Sequence, residues 1–96
     1  MSADPERWAA IFKAEIEDIQ ERTGDRKLDI YVRLGLSLGK SEGLIRKWIS
    51  DQKVPSKHTD LEKLAHALAA EGGLQDDLFE EFIVTGGHPN PAAVLG

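Results

Sequence analysis

The 96-residue chain contains no cysteine. Disulfides, thiolate metal sites and a cysteine nucleophile are therefore excluded, and an intracellular, cytoplasmic protein is expected. No apolar run approaches the roughly 18 residues of a membrane span. The N-terminal Met1-Ser2-Ala3-Asp4-Pro5-Glu6 lacks the basic flank and apolar stretch of a signal peptide, so a soluble, unexported chain with no membrane partner is expected. The three histidines, His58, His66 and His88, fall at no metal-ligand spacing, and no serine stands in a recognisable nucleophile setting. No metal, cofactor, small-molecule ligand or enzymatic activity is expected.

What is present is ordinary in amount and unusual in distribution. Hydrophobic residues make up 41% and charged residues 30%, the mix of a globular protein and well clear of compositions that stay disordered. The length supports one domain and excludes a second independent core. The net charge of −5 argues, as a single number, against a nucleic-acid partner. Along the chain it divides sharply. Residues 1–25 carry three basic and seven acidic side chains, residues 26–58 eight and three, and residues 59–96 one and seven. A polyanion responds to the local field within a Debye length of about 8 Å, not to the total, so the basic middle segment is what bears on partners.

Helical periodicity dominates. Asp4 before Pro5 is an N-cap with proline at the first helical position, and Trp8, Ile11, Phe12, Ile16 and Ile19 recur at helical spacing up to Gly24. Between Leu28 and Leu38 apolar residues crowd so closely that a helix buried on much of its surface is expected. Gly39 ends it, and Ser41 caps a short helix through Leu44, Ile45, Trp48 and Ile49 to about Ser50. Thr59 with Glu62 has the spacing of a capping box ahead of Leu61, Leu64, Ala65 and Leu68, and Gly72-Gly73 stops that helix. Asp76 to Val84 reads as a last helix whose β-branched end, Phe82-Ile83-Val84-Thr85, also suits an extended segment. The pattern predicts an all-α domain over residues 1–86, with residues 87–96 as a tail or the start of a further segment in which Asn90-Pro91 opens a short helix.

Two short helices joined at a glycine, the second held by a branched apolar residue and a bulky one three positions later, make a helix-turn-helix. Here Gly35 provides a small residue where backbones approach, Gly39 makes the turn, and Leu34, Leu38, Ile45 and Trp48 fill the wedge. Leu34-Gly35, Leu38-Gly39, Ser41, Ile45, Lys47-Trp48, Pro55 and Leu61-Glu62-Lys63-Leu64-Ala65-His66-Ala67-Leu68 resemble the Cro and lambda-repressor-like (XRE-type) helix-turn-helix family over about residues 28–70, with the motif at about 30–50. The resemblance implies a compact bundle of about five helices whose third helix enters the DNA major groove. Departures from the family pattern are Gly35 in place of the usual alanine, Tyr31 in place of a phosphate-contacting glutamine, Ile49 and Asp51 in place of a glutamate and a glycine, and the polar Lys40 after the turn glycine.

On this expectation the protein is a sequence-specific double-stranded DNA binder and transcriptional regulator. Candidate base contacts are Ser41, Glu42, Gly43, Arg46 and Lys47. Arg46 or Lys47 suits guanine O6 and N7, Glu42 suits cytosine N4 or the dipole of its own helix, and Gly43 admits close approach. Tyr31, Arg33, Lys40, Ser50, Gln52, Lys53 and Lys57, with His58 beside them, are candidate phosphate contacts. Leu78, Phe79, Phe82 and Ile83 form two adjacent apolar stripes, expected with Val94 and Leu95 to make a two-fold dimer contact, with packing into the chain's own core as the alternative. The alternative keeps the fold but uses it as a protein-interaction or assembly module, with the acidic ends and the apolar last helix as working surfaces.

Overall fold

In the computed structural model residues 3–95 are described, the side chains of Asp76, Ala93 and Leu95 excepted. The architecture is all-helical: α1 (Pro5–Thr23), α2 (Lys27–Leu38), α3 (Glu42–Ser50), α4 (His58–Ala70), α5 (Asp76–Thr85) and a last short turn of helix, α6 (Pro91–Leu95). No strand occurs among the described residues. The radius of gyration is 12.1 Å, that of a compact domain of this length. α1 packs on α2, α3 and α5, and α2 on α3 and α4, so the pair α2 and α3 rests on a platform made by the flanking helices.

The local signals place most of these boundaries. Asp4 accepts a hydrogen bond from the Arg7 N–H, Pro5 opens α1, and Gly24 closes it. Ser41 Oγ accepts from the Leu44 N–H at the start of α3. α5 stays helical through its β-branched end, because that end is where the helix meets the core. α4 departs from expectation. It begins at His58 with Lys57 at the N-cap and no capping side chain, so Thr59 lies inside the first turn and the capping box does not form. Glu62, its intended partner, is engaged elsewhere, with His88 Nε2 2.6 Å from its Oε1. His88 Nδ1 in turn accepts from the Asn90 N–H, and Val94 packs on the core, which seats the terminal segment against α4 and α5.

The core is centred on Trp8, Phe12 and Phe82, whose rings lie 5.3 to 6.2 Å apart in tilted and edge-to-face arrangements that join α1 to α5. Phe82 and Ile83 are completely buried, Phe79 nearly so, and Leu78 packs against them half-buried. The stripes assigned to a dimer contact are thus consumed inside this chain. Exposing a fully buried apolar side chain costs about 1.5–3 kcal/mol, which keeps these residues in the core. The Leu95 side chain lies outside the described residues. α2 also departs from expectation. Its buried face is Ile30, Tyr31, Leu34, Gly35 and Leu38, while Leu28, Val32 and Leu36, spaced four residues apart, remain exposed, Leu36 by 79%.

The corner between α2 and α3 is set by two glycines with different tasks. Gly39 adopts φ 71°, the left-handed conformation that glycine reaches without strain. Gly35 lies under the turn: its carbonyl accepts from the N–H groups of Gly39 and Lys40, and a Cβ on Gly35 would stand 2.5 Å from the Lys40 carbonyl oxygen. No side chain fits there without moving backbone. One buried group stands apart from this apolar frame. Glu15 is only 6% exposed, its Oε2 has no hydrogen-bond partner among the described residues, and a Cβ on Gly73 would collide with it. Burial raises the Glu15 carboxyl above its usual range, nearby Asp18 adds to the shift, and Arg22 opposes it.

Gly35→Ala, though it is the family's usual residue and a better helix former, is expected to destabilise the fold by about 1–3 kcal/mol in urea unfolding, because overpacking against fixed backbone exceeds the propensity gain. Glu15 yields a second expectation. The folded chain retains the Glu15 proton to higher pH than the unfolded chain, so its contribution is most favourable below the unfolded pKa and declines as pH rises through the folded value. Glu15→Gln should therefore be more stable than the natural chain at pH 7, with the difference shrinking toward pH 4.

Candidate nucleic-acid interface

α3 is anchored from within by Ile45, completely buried, and Trp48, 5% exposed. With those two positions fixed inward, helical geometry turns Gly43, Arg46, Lys47 and Ser50 outward. Ser41, Gly43, Leu44, Arg46 and Lys47 together line a shallow concavity of about 340 Å³. Four of the five candidate base contacts thus share one surface. The fifth, Glu42, is half-buried, and its Oε2 is closed off from solvent without a hydrogen-bond partner among the described residues. One of its two acceptor oxygens is withheld from any outside donor.

Leu44 belongs to the same surface, 38% exposed between polar neighbours. In the sequence it belongs to the helix running through Leu44, Ile45, Trp48 and Ile49, whose motif core is Ile45 and Trp48. Spacing sets it at the edge of the buried face that Ile45 and Trp48 define, one residue before Ile45 and one helical turn before Trp48.

The candidate phosphate contacts separate into three groups. Lys53 and Lys57 are exposed on the segment leaving α3 and, like Arg46 and Lys47, make no ion pair among the described residues. Arg33 and Lys40 are committed internally. Arg33 donates from Nε and Nη2 to both carboxylate oxygens of Glu71, at 2.9 and 3.2 Å, and from Nη1 to Asp25 at 2.8 Å. The hydrogen bond to Glu71, then that to Asp25, raises the Arg33 pKa against the cost of burial. Lys40 Nζ lies 3.6 Å from Asp60, a nearly buried carboxylate on α4. The polar residue at the turn position is thereby explained, and neither cation is free for phosphate.

Tyr31, Ser50 and Gln52 form the last group. Tyr31 is 9% exposed and part of the core, and burial raises its phenol pKa against the pull of nearby Arg46. Ser50 and Gln52 face a separate cleft of about 540 Å³ toward α1, lined also by Glu6, Ala9, Ala10, Lys13 and Ile49. Gln52 holds the positive φ of 52° that closes α3. His58 is exposed, its ring 5.5 Å from that of His88. Histidines distant in sequence do meet, yet among the described residues no group of three His, Cys, Asp or Glu is placed to hold a metal ion. No helix among them is long and apolar enough to cross a membrane.

Gly43 differs from the other motif glycines. It lies in the first turn of α3, without a positive φ, and a Cβ built on it meets nothing within 4 Å. The fold does not need glycine there. Comparison with protein-family models, with curated proteins and with solved structures gave no match. Gly43→Ala is expected to stabilise the fold by roughly 0.5–1 kcal/mol, the helix-propensity difference, measurable as a rise in the urea midpoint.

Proposed function

We propose that the chain is a sequence-specific double-stranded DNA-binding protein of the Cro and lambda-repressor-like helix-turn-helix type, a small transcriptional regulator that docks α3 in the major groove. The carrying observation is the contrast between paired and unpaired cations. Within the basic middle segment Arg33 and Lys40 are committed to internal carboxylates, whereas Arg46 and Lys47 stand without ion pairs, among the described residues, on the outward face of α3 beside the unfilled Gly43. Only an uncommitted cation gives the full gain from releasing counterions at a phosphate or from a bidentate hydrogen bond to guanine. Arg46 and Lys47 are the proposed base readers, Lys53 and Lys57 the proposed phosphate contacts, and Ser41 reads with its hydroxyl proton while its oxygen caps α3.

A second reading has its own support. The exposed apolar stripe Leu28, Val32 and Leu36 on α2 is a surface that DNA does not require. It favours a protein-interaction module in which α2, not the buried α5, is the working helix.

Binding to a duplex pool of random core sequence, followed across salt concentration, separates the two. For the DNA-binding reading, enrichment of a defined sequence is expected, with log K falling by about 0.9 for each neutralised phosphate per decade of salt. The double variant Arg46→Ala and Lys47→Ala should lose at least tenfold in affinity with its helical circular dichroism intact. Arg33→Ala should leave the salt slope unchanged, because its charge is already spent on Glu71 and Asp25 and neutralises no phosphate. Unchanged duplex binding in the double variant would rule out docking through α3, and no duplex binding at about 50 mM salt would favour the protein-interaction module.

A further inference from the structure

A large apolar side chain sharing an outward concavity with two cations adds something that phosphate contact alone does not use. Leu44 is 38% exposed and shares its concavity with Ser41, Gly43, Arg46 and Lys47. It is not held there by the core, whose α3 contributions are Ile45 and Trp48. The adjacent Gly43 leaves open space where any other residue would place a Cβ. Open volume, an apolar wall and flanking unpaired positive charge thus coincide in one surface notch. The major-groove edge of a duplex presents one apolar group that fits such a notch, the C5-methyl of thymine, which projects between the polar edges of neighbouring base pairs and the phosphates. We propose that Leu44 is a specificity-determining residue that receives a thymine methyl in the space left by Gly43, with Arg46 and Lys47 engaging neighbouring polar groups. This assignment rests on the DNA-binding reading above.

The test changes one methyl group at a time. The duplex enriched from the random-core pool is resynthesised with each thymine in turn replaced by uracil, which preserves base pairing and every major-groove polar atom. Each duplex is titrated with the natural chain, with Leu44→Ala and with Leu44→Ile. At one or more positions the natural chain and Leu44→Ile should lose about fourfold in affinity, the roughly 0.8 kcal/mol of one buried methyl-sized group converted at 1.4 kcal/mol per decade. Leu44→Ala should bind the thymine duplex several-fold more weakly and be indifferent to uracil at the same positions. Circular dichroism and urea unfolding establish that the variants are folded.

Equal losses on uracil substitution in the natural chain and Leu44→Ala would overturn the assignment of Leu44 while leaving DNA binding intact. So would an enriched sequence without thymine. A pool from which nothing is enriched overturns the DNA-binding reading, and this assignment falls with it.

Discussion

The contact on which the α2 and α3 pair depends is between two pieces of backbone: the Lys40 carbonyl sits over Gly35 so closely that a Cβ there would lie 2.5 Å from it. From this approach the rest of the corner follows. Gly39, left-handed at φ 71°, turns the chain so that Gly35 O accepts both the Gly39 and Lys40 N–H groups, and the bare Gly35 leaves room for the Lys40 carbonyl that the turn brings back. Ser41 is then in position to cap α3, and Ile45 and Trp48 are carried inward onto the platform of α1 and α2. The outward residues of α3 owe their orientation to that anchoring.

The same corner organises the electrostatics. Lys40, lifted by the turn, reaches the nearly buried Asp60 on α4, and Arg33 on α2 is clamped between Asp25 and Glu71. Both cations come from the basic middle segment and their carboxylate partners lie outside it, in the acidic arms. The arms are therefore more than a diffuse negative background. They neutralise the cations that point into the bundle and leave those that point out. The charge that remains uncommitted is concentrated on α3 and the segment after it, a narrower distribution than the count of basic residues conveys. A potential focused in this way steers a polyanion toward one face and repels it from the others.

The helices were legible in the sequence because their signals are local. Asp4-Pro5, Gly24, Gly39 and Ser41 act within four residues of the structure they specify. What the sequence concealed was every feature decided by a distant partner. Thr59 and Glu62 have capping-box spacing, but His88, 26 residues beyond Glu62, engages its carboxylate. Arg33 has the composition of a phosphate contact, and Glu71, 38 residues away, makes it a structural cation. Apolar crowding in α2 gives no means of choosing which stripe stays bare. With α1, α3 and α4 all packed against that helix, the bare stripe is Leu28, Val32 and Leu36. On α5 the error ran the other way: apparent surplus in a short helix is needed once Trp8 and Phe12 of α1 require a facing wall.

Gly35 and Gly43 sharpen the division between residues that build this surface and residues that serve it. Both are helical, both carry the entropic cost of glycine in a helix, and sequence alone treats them alike. The space around them does not. At Gly35 backbone fills the position a Cβ would take, so the fold itself accounts for the residue. At Gly43 the same position is open, so the fold gains nothing from glycine and forgoes helix stability. A local rule broken without internal compensation points to an external demand. Beside it Leu44 leaves an apolar side chain partly exposed in the concavity it shares with Arg46 and Lys47. Two adjacent residues that each cost the isolated chain something, one by leaving space and the other by lining it with carbon, are economical together when an apolar group from outside occupies that space.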